Sequence, residues 1–165
     1  MSTAKLAIVI PIYNEQAVLP QLFQRLKMVC SSLEDIDWQV IFVNDGSRDE
    51  SLRTILEERV SEPRFTLVDL SRNFGHQPAI SAGLAYADAD AVVIIDGDLQ
   101  DPPELIPDLI AAWREGGEVV LPVRRSRQER GLRRIGFDAF HKLFTWVSDF
   151  QFEGHTGVFG LLNRQ

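Results

Sequence analysis

Short runs of near-continuous valine, isoleucine and leucine alternate along this chain with longer stretches whose apolar residues recur every three or four positions. Five such runs, over 6–12, 40–44, 65–70, 91–96 and 119–123, have the unbroken apolar character of strands buried on both faces of a sheet. The amphipathic stretches between them predict helices over 16–33, 49–59, 78–87 and 103–114. Strand–helix alternation of this kind predicts an α/β fold with a doubly wound, mostly parallel sheet and right-handed crossovers. Ser47 stands three residues before Glu50, and Asp101 three before Glu104 with Pro102 between them. Both pairs have the spacing of a helix-starting capping box. A further amphipathic segment, 131–150, carries Leu132, Ile135, Phe140, Leu143, Phe144, Val147 and Phe150.

Composition narrows the class. A chain of 165 residues suits one domain, and 45% hydrophobic with 25% charged residues is globular, without the signature of disorder. The lone Cys30 excludes an internal disulfide framework and a cysteine-based zinc site, and the three scattered histidines make no zinc pattern. Cys30 reads as a small buried apolar residue of the first helix. Net charge is −7, which argues against nucleic acid as a partner, yet Arg124, Arg125, Arg127, Arg130, Arg133 and Arg134 stand close together. A basic patch on an acidic chain points to a phosphate-bearing ligand or an anionic surface. The first residues read as a strand rather than a signal peptide, and no run of about 18 apolar residues is present to span a membrane. The apolar close, GVFGLLNRQ, reads as the cut end of a longer sequence.

In open α/β sheets ligands bind beyond the carboxyl ends of the strands. After the first run comes Pro11-Ile12-Tyr13-Asn14-Glu15, after the second Asn44-Asp45-Gly46-Ser47, and after the third Ser71-Arg72-Asn73-Phe74-Gly75-His76. The fourth runs into Asp96-Gly97-Asp98-Leu99-Gln100-Asp101. Polar groups therefore gather on one edge, where Arg72 and Asn73 are candidate substrate contacts. Asp96 and Asp98 point the same way on extended backbone, and such a pair suits a hard divalent cation that also binds phosphates. Gln100 offers a third oxygen. Turns are rich in Asp and Gly, so the motif alone has a plain structural reading as well; its place in the row of strand-end polar groups favours metal. Asp45 is open between a turn role and ligand binding, and Asn14 reads as a helix cap. Asp101 suits a cap, His76 a loop or cap. Ala82 and Gly83 suit close helix–sheet packing, with a phosphate approaching the backbone at Gly83 as the sharper alternative.

IPIYNE, VNDGSRDES, LSRNFGHQPAISAGL and DGDLQDPPEL, in this order, resemble the family 2 glycosyltransferases of the GT-A fold, whose sheet is Rossmann-like. DLQDPPE after the DxD motif is similar to the polyprenyl-phosphate glycosyltransferases in particular, among them dolichol-phosphate mannose synthase and the bactoprenol glucosyltransferases. The resemblance covers nearly the whole chain, and implies one catalytic domain, 1–165, cut at its C-terminus. It implies that Pro11, Tyr13, Glu15 and Asp45 hold base and ribose of a UDP- or GDP-linked sugar. Asp96, Asp98 and Gln100 would hold Mg2+ or Mn2+ with the diphosphate, and Arg124, Arg127 and Arg134 would approach phosphates. One departure stands out: Val158 and Gly160 fall where many relatives carry an acidic residue and an arginine.

The implied chemistry is an inverting displacement at the anomeric carbon, with charge on the leaving group neutralised by the cation and the arginines. A polyprenyl phosphate acceptor, with a second pKa near ~6, is already largely ionised at neutral pH and has little need of a general base. A sugar-hydroxyl acceptor is the alternative, and there the missing acid at 158 counts against it. A fragment that binds nucleotide sugar without turnover is another. The mix of Phe137, Phe140, Phe144, Trp146 and Phe150 with Arg130, Arg133, Arg134 and Lys142 gives 131–150 two readings, a peripheral membrane helix or a core-packing one. Membrane contact would place the enzyme at the cytoplasmic face of a membrane, with self-association into a homo-oligomer open. A phosphoacceptor signalling domain would need an Asp pair after the first strand and a Lys after the fifth. A nucleotidyltransferase would need a glycine-rich loop after the first strand. Neither is present.

Overall fold

Alternation with a period of two governs the central strands, and it sorts their side chains onto opposite faces of the sheet. In the computed structural model, which describes residues 3–122 and 159–164, β1 (Ala4–Ile12) sends Leu6, Ile8, Ile10 and Ile12 to one face and Ala7 and Val9 to the other. β2 (Ile36–Asn44) does the same with Trp38, Val40 and Phe42 against Ile41 and Val43. β3 (Phe65–Asp69) and β4 (Ala91–Ile94) complete a parallel set in the order β3-β2-β1-β4. Four of the five expected strands therefore lie where the pattern put them.

The two faces are unequal. α1 (Leu19–Ser31), α2 (Ser51–Ser61) and α4 (Ile106–Arg114) bury the larger core, in which Phe23, Phe42 and Phe65 meet at ring-centroid distances of 5.2–6.0 Å. Two of the three pairs, Phe23–Phe42 and Phe42–Phe65, are edge-to-face, an arrangement that adds about 0.5–1.5 kcal/mol per pair to their burial. α3 (His76–Tyr86) covers the other face, whose core is built largely of alanine and valine. Gly83 lets it sit close, because a Cβ there would lie 2.4 Å from Val9 Cγ1 and 2.9 Å from Val43 Cγ2. Cys30 is buried in the larger core, and burial pushes its thiol up to about 12, which leaves it unreactive.

Four points of the sequence reading need correction. The fifth strand, β5, is only Val119–Val120. A sixth, β6 (Gly160–Asn163), was not expected; it enters antiparallel between β4 and β5, so the sheet reads β3-β2-β1-β4-β6-β5. Trp113 Nε1 donating to Asn163 Oδ1 at 3.1 Å, and Arg164 to the Ala87 carbonyl, pin it there. The Ser47–Glu50 capping box is also absent: the Glu50 amide donates to Gln16 Oε1, and α2 has no side-chain cap. Helix bounds shift as well, since α1 begins at Leu19 after a turn closed by Val18 N–H on the Glu15 carbonyl, 3.0 Å.

Candidate active site

Parallel strands bring their carboxyl ends to one edge, and there the first two loops are stitched together. Asn14 N–H donates to Ser47 Oγ (3.0 Å), Glu15 N–H to Ser51 Oγ (2.8 Å) and Gln16 N–H to Asp49 Oδ2 (3.1 Å). In return Arg48 N–H donates to Asn14 Oδ1 and Glu50 N–H to Gln16 Oε1, both 2.8 Å. Ser47, expected as a cap for its own helix, instead serves the neighbouring loop, as does Asn14, which takes a left-handed φ of 58° to do so. Burial pushes the Asp49 carboxyl up, but hydrogen bonds from Ser51 and Gln16 outweigh it and leave the group below its ordinary 3.8.

The third loop is seated on the second. Asp45, only 3% exposed, accepts the Phe74 amide on Oδ1 at 2.7 Å and the Gly75 amide on Oδ2 at 2.9 Å. Beside it Gly46 has φ +65°, and a Cβ there would meet Arg72 C at 2.4 Å and Asn73 N at 2.5 Å. Only glycine fits both constraints. Arg72 stacks over the Phe74 ring, 4.6 Å from its centroid, with both side chains exposed.

β4 supplies the acidic corner. Gly97 sits in the turn after β4 and close against β1: a Cβ there would lie 2.5 Å from Ile12 Cδ1 and 3.2 Å from the Pro11 carbonyl oxygen. Asp98 Oδ1 accepts the Gln100 amide at 2.9 Å, across Leu99 with φ 61°. Asp96 Oδ1 lies 3.3 Å from His76 Nε2. Burial, then the charges of Asp98 and Asp49, raise the Glu15 carboxyl above its ordinary 4.5. Negative potential thus accumulates on one side of the opening.

These groups line a cleft of about 270 Å3. Of the residues expected from sequence, Pro11, Tyr13, Glu15, Asp45, Asn73, Asp96 and Asp98 line it together. Ile12, Gly75, His76, Ala79 and Gly97 complete the wall. Arg72 and Gln100 are exposed beside the cleft rather than in its lining, Gln100 entering through its main-chain bond to Asp98. Gly83 faces Val9 and Val43. Arg124, Arg127, Arg134 and the segment 131–150 lie outside the described residues, as does Val158. His76 went unnoticed as a site residue, although it ends the polar run after the third strand. Its position on the first turn of α3 becomes informative only once β4 is placed beside β1.

Oxygen donors at the end of a buried strand suit Mg2+ or Mn2+. Among the described residues no three His, Cys, Asp or Glu side chains converge on one point. A cation held by Asp96 and Asp98 would therefore complete its shell with substrate phosphate and water, the usual arrangement for Mg2+.

Comparison with known proteins follows the same lines. The chain is 43% identical over 160 residues to YkcC, an uncharacterized glycosyltransferase of Bacillus subtilis, covering 96% of this chain and 49% of the relative. It is 37% identical over 162 residues to the bactoprenol glucosyl transferase of Shigella phage SfV, covering 98% and 52%. The chain thus spans about half the length of the curated relatives it matches. Among solved structures, the mannosyltransferase PcManGT of Pyrobaculum calidifontis, in complex with GDP-Man and Mn2+, superimposes with a TM-score of 0.63 at 21% identity, covering 74% of this chain and 36% of that one. The sheet is that of the GT-A glycosyltransferases. Residues 7–159, which take in all four strand-end motifs, match the glycosyl transferase family 2 description, and the chain belongs to that family.

Proposed function

We propose that this chain is the donor-binding, catalytic part of a glycosyltransferase that moves a sugar from a UDP- or GDP-linked donor to a polyprenyl phosphate. The observation that carries the reading is the cleft itself, which Tyr13, Glu15, Asp45, Asp96 and Asp98 line together. The bactoprenol glucosyl transferase named above supports the acceptor class, and the GDP-Man and Mn2+ of the mannosyltransferase support the donor and the cation.

In this reading Pro11, Tyr13 and Glu15 frame the nucleoside, and Asp45 holds the loop that closes over it. Asp96 and Asp98 hold Mg2+ or Mn2+ on the donor's diphosphate. The bound cation supplies charge neutralisation for the leaving group. An acceptor phosphate oxygen attacks the anomeric carbon from the face opposite the diphosphate. As that bond forms, the bond to the diphosphate oxygen breaks and the nucleoside diphosphate leaves with its electron pair, inverting the centre. Arg124, Arg127 and Arg134 are proposed to meet phosphates, and 131–150 to contact the cytoplasmic face of a membrane. No helix among the described residues is long and apolar enough to cross one.

The test is a thermal-shift series with UDP and GDP, each with and without Mn2+, followed by transfer assays onto a polyprenyl phosphate and onto a sugar hydroxyl. A nucleotide-dependent shift enlarged by Mn2+ and lost in Asp98→Ala is expected. A Mn2+ enhancement that survives Asp98→Ala would refute the assignment. Because the chain spans about half of its relatives, donor binding without turnover is a second outcome. Calorimetry beside a donor-hydrolysis assay separates the two.

A further inference from the structure

We infer that His76 is a positioning residue for Asp96, and that the Asp45 carboxylate holds it in place. The inference rests on the reading of Asp96 and Asp98 as cation ligands and adds a connection between loops that the reading does not require. It starts from Asp45, whose two oxygens fasten the amides of Phe74 and Gly75 from a site 3% exposed. Charge-assisted bonds to two successive amides fix both the position and the direction of the chain. Those amides belong to the last two residues before α3. Gly75, at φ +99°, then turns the backbone, and His76 opens the helix. Its side chain makes no cap; it reaches into the cleft, where Nε2 lies 3.3 Å from Asp96 Oδ1.

A metal-binding carboxylate works best when one oxygen is held by an outer partner, because the other is then presented in a single orientation. The imidazole is placed to do this at Asp96. On the other carboxylate, the Gln100 amide does the same at Asp98 Oδ1. Asp98 thus has one oxygen held by a local main-chain bond, and at Asp96 the imidazole at the start of α3 stands 3.3 Å from Oδ1, in position to hold it.

The experiment compares His76→Ala, His76→Asn and His76→Gln for Mn2+ affinity, measured by calorimetry and by Mn2+ electron paramagnetic resonance with saturating UDP or GDP. His76 is half-exposed, so these variants are expected to fold as the parent does. Loss of an outer partner typically weakens metal affinity 10–100-fold. His76→Ala is expected to show a loss in that range, with nucleotide affinity in the absence of metal unchanged. The variant that best returns an N–H donor, Asn or Gln, is expected to regain part of it. Asp45→Asn should speed amide hydrogen exchange at Phe74 and Gly75 and weaken Mn2+ in parallel. A His76→Ala affinity within twofold of the parent, with Asp98→Ala still deficient, overturns the positioning role and leaves the cation site standing. If Asp98→Ala also binds Mn2+ normally, the cation reading fails and takes the inference with it.

Discussion

The two halves of the sheet edge use similar residues for different ends. At the β1–β2–β3 end, Asn14, Asp45, Ser47, Asp49 and Ser51 turn their side chains to the main chain of an adjacent loop. Their hydrogen bonds build a wall. At the β4 end, Asp96 and Asp98 stand at the mouth of the cleft, about one-third exposed in the case of Asp96. The lesson is that an aspartate at a strand end does not declare its work. Burial and the number of main-chain donors it meets decide whether it holds the fold or a ligand.

Substitutions should separate the two halves. The largest effect is expected at the β4 end. Asp98→Ala, or removal of divalent cation with EDTA, should lower sugar transfer on the order of 10^2–10^3-fold, while urea unfolding moves by no more than about 0.5 kcal/mol. A large loss of stability would mean that Asp98 belongs with the wall. Next comes Asp45→Ala, which takes the acceptor from two part-buried amides at roughly 1–2 kcal/mol each. Urea unfolding should show a loss of about 2–4 kcal/mol, together with weakened nucleotide binding in the absence of metal. Ser51→Ala removes a fully buried acceptor of the Glu15 amide, and a loss of about 1–2 kcal/mol in the same assay is expected.

The smallest effect is at Glu15, whose raised pKa means the native state binds its proton more tightly than the unfolded chain does. That favours the fold below pH 4.5, and the advantage fades as pH climbs through the raised value. Glu15→Gln should therefore raise the melting temperature slightly at pH 7, and the gain should vanish at pH 4 and below. Asp49 has the opposite sign: its contribution is present above 3.8 and is lost as acid takes pH through its lowered pKa. Melting curves from pH 3 to 8 on Glu15→Gln and Asp49→Asn should therefore diverge.

Strands that are apolar on both faces were legible, because nothing but burial on both sides accounts for runs such as those over 6–12 and 91–96. Their carboxyl ends followed from topology, and with them the convergence of Glu15, Asp45, Asp96 and Asp98. The capping box at Ser47 misled because Ser47 has two possible partners, its own helix and the loop across the sheet edge, and only the second is in place to win. β6 was hidden for a different reason. Its pairing with β4 joins residues some 70 positions apart, such as Val92 and Leu162, and a four-residue run containing glycine has too little local signature to announce that. Gly97 lies in the turn that follows β4, and its close approach to Ile12 and the Pro11 carbonyl of β1 shows only once the strands are placed side by side.

β6 has a consequence for how such a chain can change. It runs against β4, starting with Gly160 beside Ile94, and it pairs with β5 through Val120 and Leu161. The chain therefore leaves the sheet after β5 and re-enters it at β6 on the same side, close to where β4 ends. A departure and a return so near each other let one stretch be lengthened, shortened or traded without disturbing strand order. Both anchor points lie at the sheet edge that carries Asp96 and Asp98, so such a change would fall beside the cleft and not at the far end of the strands.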